Sequence, residues 1–193
     1  VYYHKTIIGY ELLLRLIYRR MAEELPEVAE TLTPRWIHEI VEAGDVAYWD
    51  DEWVFSRLYL ALSSDRTSSG VKRMIRGFLD RDGPRILVEL SRLSMEPPSP
   101  RDYEALESYR RRLSNVIPED TLCLFADSIP VFKRKPVLVR VRGKRLPVNS
   151  EELDALPLYL PRYYNVLRIY VSPQYRERAR EALFGPQKPA SHL

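Results

Sequence analysis

The stretch Val1 to Leu25, VYYHKTIIGYELLLRLIYRRMAEEL, decides the reading of the first half of the chain. Tyr3, Ile7, Tyr10, Leu14, Ile17, Met21 and Leu25 recur at steps of four and three, the spacing of one apolar stripe on a 3.6-residue helix. Ile8, Leu12, Leu13 and Leu16 widen the stripe, leaving a narrow arc of Lys5, Glu11, Arg15, Arg19 and Arg20 for water. The helix is therefore expected to be central and flanked on several sides, with Glu11 and Arg15 as a supporting i,i+4 pair. Neither an N-cap residue nor an initiator Met precedes Val1, although the pattern is already running. The sequence thus reads as part of a longer protein.

Working outward, 193 residues of which 45% are hydrophobic and 30% charged suffice for one domain, or two small ones, with a real core. No apolar run approaches the roughly 18 residues a membrane-spanning helix needs, and no basic and apolar leader opens the chain, so a cytoplasmic location is expected. Cys123 is the single cysteine and sits among Leu122, Leu124 and Phe125, which marks it as a small buried hydrophobe. The formal charge of +3 is too mild to argue for nucleic acid by itself. Of the 30 basic residues 24 are arginine, and Asn and Gln are scarce, a composition that fits a hot habitat.

Helix punctuation follows in order. Thr33 as N-cap, Pro34 at N1 and Gly44 as stop bound a short helix whose apolar face is Trp36, Ile37, Ile40 and Val41; His38 lies off it. Asp50 and Asp51 open a helix through Leu62, and their place at its start suits capping better than metal binding. Ser68 and Ser69 cap a fourth helix towards Leu79. Ile86–Leu90 reads as a strand, and the turn-rich MEPPSP marks a sub-domain border near residue 95. Ser99 and Pro100 start a helix to Asn115 that carries Arg110, Arg111 and Arg112, a run best explained as a solvated face paired with Glu104 and Glu107. From Thr121 the period changes to strands, with a hairpin of PVLVRVR and RLPVN around Gly143-Lys144. A short helix over Ser150 to Leu156, a strand over Asn165–Val171 and a last helix from Ser172-Pro173 through Phe184 complete the chain. The fold class expected is α+β: a mainly helical part, residues 1–95, and a small antiparallel sheet with helices packed on it, residues 96–193.

The opening Tyr2, Tyr3, His4, Lys5, followed by a small polar residue and a long apolar helix, resembles a segment of the HD-domain phosphohydrolases, most of all their deoxynucleoside triphosphate triphosphohydrolases. The resemblance continues in order. An aspartate-rich helix start, a further helix ending in a basic residue, a second basic residue four positions on and then a strand match RGFLDRDGPRILVEL. The closing LRIYVSPQYRERAREAL resembles how such chains end. It implies that Lys5, Arg81 and Arg85 hold the phosphates of an activating nucleotide, as in regulated members, that His4 and, before the hairpin, Lys133 contribute to a nucleotide site, and that Tyr2 packs against a substrate sugar. The chain departs from the family at Asp82-Gly83-Pro84, where apolar or aromatic residues are usual.

The HD reaction needs a divalent metal held by several histidines and aspartates. His4, His38 and His192 are the only histidines and none adjoins an Asp, so the resemblance puts the metal and the catalytic residues ahead of Val1 and none in this chain. Gly-rich phosphate loops, paired C-x-x-C zinc spacing and nucleophile elbows are absent from the sequence. The expected function is the C-terminal part of a metal-dependent phosphohydrolase converting a dNTP to nucleoside and triphosphate, in a homo-oligomer, dimers first. The alternative is a non-catalytic module whose Lys5, Arg81, Arg85 and Arg110 to Arg112 face nucleic acid or nucleotides.

Overall fold

The structure, a computed structural model, describes residues 4–44, 50–131, 137–141, 144–148 and 161–185, with 137–141 and 144–148 described by backbone alone. The fold is α+β, and the chain divides into two compact units, Val1–Arg85 with Ser172–Gln174, and Ile86–Val171 with Tyr175–Leu193.

The first unit is built from α1 (Lys5–Glu24), α2 (Pro26–Glu30), α3 (Pro34–Ala43), α4 (Asp51–Ser63) and α5 (Ser69–Leu79), five helices where punctuation gave four. The extra one is a single turn begun by Pro26, whose missing N–H costs nothing at N1. Caps fall where the sequence set them: Thr33 accepts from the Trp36 N–H, Asp50 from Trp53 and Ser68 from Val71, and Gly44 closes α3 at φ 82°. Each such cap is worth about 1 kcal/mol.

The stripe on α1 is buried in its second half and not at Ile7. The buried residues are Ile8, Leu13, Ile17 and Met21, joined by Leu25, whereas Ile7 is 56% exposed and Tyr18 36%. Helix α1 packs against α2 and α5, and Ile17, Met21 and Leu25 of the predicted stripe lie in the core, while Ile8 and Leu13 from beside the stripe are buried and Ile7 is not. Ile17 and Met21, both at 0% exposure, meet Leu58, Ala61, Val71 and Ile75 in this core. At about 1.5–3 kcal/mol per fully buried large side chain, that contact row is what holds the helices together. Beside this core lies a groove of about 610 Å³ lined by Leu14, Arg15, Tyr18, Arg19 and Ala22 of α1 with Leu32 and Val54.

In the second unit β1 (Arg85–Glu89) and β2 (Arg92–Ser94) lie along one edge of β6 (Tyr163–Val171), and β3 (Leu122–Pro130) pairs antiparallel along the other, with Leu122 opposite Val171 and Pro130 opposite Tyr163. Leu167, Ile169 and Val171 alternate onto the face covered by α6 (Pro100–Ser114) and α7 (Arg176–Phe184), where Leu106, Leu113, Ala179 and Leu183 complete a core. The expected hairpin is present as β4 (Val137–Val141) and β5 (Lys144–Val148), with Val141 opposite Lys144. The short helix expected over 150–156 lies outside the described residues. Cys123 is half-buried.

Strand β6 is buried from Asn165 onward on both of its faces, and two of its side chains are polar. Asn165 accepts from the Ser128 hydroxyl at 2.8 Å and donates to the Glu96 carbonyl at 2.9 Å. Arg168, 3% exposed, is paired with Glu89 at 3.0 Å, and the same carboxylate oxygen accepts from the Ser91 hydroxyl. Paired in this way, both charges escape the several kcal/mol that an isolated buried ion would cost.

Candidate phosphate-binding turn

One hydrogen bond ties the turn that carries Arg81 and Arg85 to helix α1. Helix α5 runs back beside the beginning of α1: the Phe78 ring stands edge-on to Tyr10 with centroids 6.0 Å apart. The Tyr10 hydroxyl accepts the Gly83 N–H at 3.0 Å. Tyr10 lies five residues past Lys5, about 7.5 Å along the helix axis at 1.5 Å per residue. The turn Asp80–Arg85 is thus fixed at the same end of the α1–α5 pair as His4 and Lys5.

Two glycines let the chain come this close. A Cβ on Gly83 would stand 2.7 Å from Tyr10 Cζ, and one on Gly77 would stand 3.2 Å from the Asp82 carbonyl oxygen. A side chain at 83 would expel the ring that holds the turn.

Arg81 occupies the position after the α5 C-cap at φ 58°, and it is the one non-glycine residue with positive φ among the described residues. Helices commonly end on a left-handed residue there, and it is usually glycine because a Cβ clashes in that conformation. An arginine in that place costs roughly 1–2 kcal/mol relative to a residue without Cβ. Its backbone N–H reaches the Phe78 carbonyl at 3.4 Å, so the backbone does the capping and the exposed guanidinium is left over.

The electrostatics of the turn alternate. Asp80, Arg81, Asp82 and Arg85 are all exposed, and Arg85 Nη2 stands 3.7 Å from Asp82 Oδ1. At the facing end of α1 the N-cap residue His4 makes no side-chain cap and no acid occupies the first turn. A helix N-terminus without an acid in its first turn favours an anion over a cation. His4 is exposed and begins the helix. Tyr2 and Lys133 lie outside the described residues. Among the described residues no three His, Cys, Asp or Glu side chains converge as metal ligands, so the donor set of a divalent ion is not supplied by that part of the chain.

The second basic run has other duties. Arg110 pairs with Glu107 at 2.8 Å and with Glu119, and these contacts raise its pKa above the usual guanidinium value, the Glu119 hydrogen bond foremost. Arg112 donates to the Ala182 and Leu183 carbonyls at the end of α7, a C-terminal cap between helices. His38 is exposed beside Glu42 at 3.3 Å.

Sequence reasoning missed the Tyr10–Gly83 lock and the left-handed Arg81. The Asp-Gly-Pro tripeptide signals a tight turn, but no local pattern discloses a partner 73 residues away.

No family model matches this chain, and no curated protein matches it. Its fold is similar to a crystal structure of a hypothetical protein from Aquifex aeolicus, with a TM-score of 0.51 at 18% identity over 95% of this chain. The chain spans 40% of that protein's length. Among the described residues no helix is long and apolar enough to cross a membrane.

Proposed function

We propose that this chain is the C-terminal part of an HD-domain, metal-dependent phosphohydrolase of the dNTP triphosphohydrolase type, and that its Lys5, Arg81 and Arg85 contact nucleotide phosphates. The observation that carries the reading is the convergence just described. Lys5 at the start of α1 and Arg81 and Arg85 on the turn after α5, all picked out by motif, lie towards the same end of the helix pair, and the turn is tied to α1 by the bond from the Gly83 N–H to the Tyr10 hydroxyl. The strained backbone of Arg81 supports it further, since a position that favours glycine retains a cationic side chain.

In this reading the chain contributes no catalytic group. Residues of the parent protein outside it hold the divalent ion, whose bound water would supply the nucleophile. This part contacts the phosphates of a nucleotide substrate or effector, contributes Tyr2 at the edge of the substrate sugar, and joins copies of the protein through apolar helix surface such as that around Leu14 and Tyr18. A cytoplasmic setting belongs to the same proposal.

The alternative, a non-catalytic module whose Lys5, Arg81, Arg85 and Arg110 to Arg112 face nucleic acid or nucleotides, has less support, because Arg110 and Arg112 are engaged with Glu107, Glu119 and the end of α7. The direct test is activity of the parent protein. With Mg²⁺, Mn²⁺ or Co²⁺ it is expected to release triphosphate from dNTPs, while this chain alone does not. A parent inert towards a broad panel of nucleotides and phosphomonoesters overturns the proposal.

A further inference from the structure

We infer that the apolar groove of the helical unit receives helix α3 of a second copy of this chain, each copy's α3 filling the other's groove; the inference rests on the proposed joining of copies around Leu14 and Tyr18 and names the element that does it. Helix α3 is well capped and poorly covered. Thr33 caps its start and Gly44 its end, yet none of its ten residues is buried. Its apolar residues Trp36, Ile37, Ile40 and Val41 share one face, with Val41 49% exposed, and no other element packs broadly on the helix among the described residues. Ten residues are too few to hold a helix in water by local propensity, so that face calls for a partner. The Trp36 Nε1–H is shielded from solvent and has no acceptor among the described residues, whereas a shielded indole N–H ordinarily finds one.

The groove suits that face in length, character and charge. Its α1 wall from Leu14 to Ala22 is about 12 Å long at 1.5 Å per residue, and the apolar run from Trp36 to Val41 is about 8 Å. Leu14, Tyr18, Leu32 and Val54 offer apolar surface to it. On the groove's edge stand Arg15, paired with Glu11, and Arg19, which has no ion pair among the described residues. Helix α3 brings the opposite sign: Glu39, paired with Arg35, and Glu42, whose neighbour His38 is charged only when protonated. Leu32 lines the groove and directly precedes the α3 N-cap Thr33, so groove and helix adjoin on one surface. Two such surfaces related by a two-fold axis cover both helices at once and close the assembly at a dimer. Exposed apolar surface alone would admit any apolar partner. A basic-edged groove beside an acidic amphipathic helix on the same surface selects a second copy, with Arg19 of each chain meeting Glu42 of the other.

The test is sedimentation equilibrium of the full 193-residue chain at micromolar concentration, for wild type, Val41→Arg, Tyr18→Ala, Arg19→Glu, Glu42→Arg, the Arg19→Glu/Glu42→Arg double variant, and Tyr103→Arg in the other unit as control. All five positions are exposed, so folding is not at stake. Wild type and Tyr103→Arg should form the same dimer. Val41→Arg and Tyr18→Ala should each weaken it at least about ten-fold, as loss of a central apolar contact does. Each single charge reversal should weaken it about three-fold, the scale of an exposed pair, and the double reversal should recover wild-type affinity. If Tyr18→Ala weakens the dimer and Val41→Arg does not, α3 is not the element that fills the groove: this inference is refuted and the joining of copies around Leu14 and Tyr18 stands. Single reversals that weaken without recovery in the double variant refute the placement of α3 in the groove. A wild-type chain that stays monomeric, or a dimer untouched by Tyr18→Ala, overturns the joining surface and this inference with it.

Discussion

Replacing Arg81 by glycine should stabilise the protein while weakening its hold on phosphate. Arg81 sits at φ 58°, where a side-chain Cβ costs roughly 1–2 kcal/mol and glycine costs nothing. Against that gain stands the greater freedom of glycine in the unfolded chain, about 0.5–1 kcal/mol. Arg81 is exposed and makes no ion pair among the described residues, so no packing or pairing term is lost. The balance is a stabilisation of about 1 kcal/mol, or a Tm rise of about 2–4 °C for a chain of this size. Circular dichroism during thermal and urea unfolding reads it directly. Arg81→Ala, which keeps the Cβ, should show no such rise. If Arg81→Gly is neutral or destabilising while its fold is intact, the left-handed strain assigned to this position is wrong. The argument that function retains an arginine there then loses its basis.

Four further outcomes follow from the packing and the charges. Gly83→Ala should destabilise the helical unit by about 1–3 kcal/mol, because its Cβ would meet Tyr10 Cζ at 2.7 Å; Tyr10→Phe should cost about 1–3 kcal/mol by stranding the buried Gly83 N–H, both read by urea denaturation. Glu89→Ala should cost about 3–5 kcal/mol by leaving Arg168 buried at 3% exposure without this partner, and Glu89→Leu with Arg168→Met should recover most of the loss. The Asp102 carboxyl is held below its usual pKa, first by the Ser99 N–H, then by the Ser99 hydroxyl and by Arg92. A depressed folded-state value means the stabilisation is present above the ordinary carboxylate range and is lost as pH falls through the lower folded value. The stability difference between wild type and Asp102→Asn should therefore be constant from pH 7 to about 5 and shrink below about pH 4.

Local features were legible in the sequence. The caps at Thr33, Asp50 and Ser68, the stop at Gly44, the strand over 165–171 and the hairpin around Gly143-Lys144 are all set by short-range chemistry, which a single sequence records. What it did not record is which apolar row of α1 is buried. Of the repeat Tyr3, Ile7, Tyr10, Leu14, Ile17, Met21 and Leu25, the last three are in the core, whereas near the start of the helix Ile8 is buried and Ile7 exposed. The pairing of Arg168 with Glu89 was invisible for the same reason, since both look like ordinary alternating charges until β1 is laid beside β6. The candidate site was half legible: Lys5, Arg81 and Arg85 came from motif, whereas the bond between Tyr10 and Gly83 that unites them is long-range. The basic run on α6 was read as a face pairing with Glu104 and Glu107. Its pairing with Glu107 is present, and Glu119 and the α7 carbonyls take the other contacts.

The central claim is that the end of the α1–α5 pair is a phosphate-binding surface for nucleotides. It is met most directly by titrating the 193-residue chain with a deoxynucleoside triphosphate and with the corresponding nucleoside, following the Gly83 and Arg85 amide resonances. The account predicts saturable binding of the triphosphate and none of the nucleoside, with affinity falling at least about ten-fold in Arg81→Ala/Arg85→Ala, as the loss of two charge-assisted contacts requires, and unchanged in Arg111→Ala. Absence of saturable triphosphate binding, or equal binding by all three proteins, would contradict it.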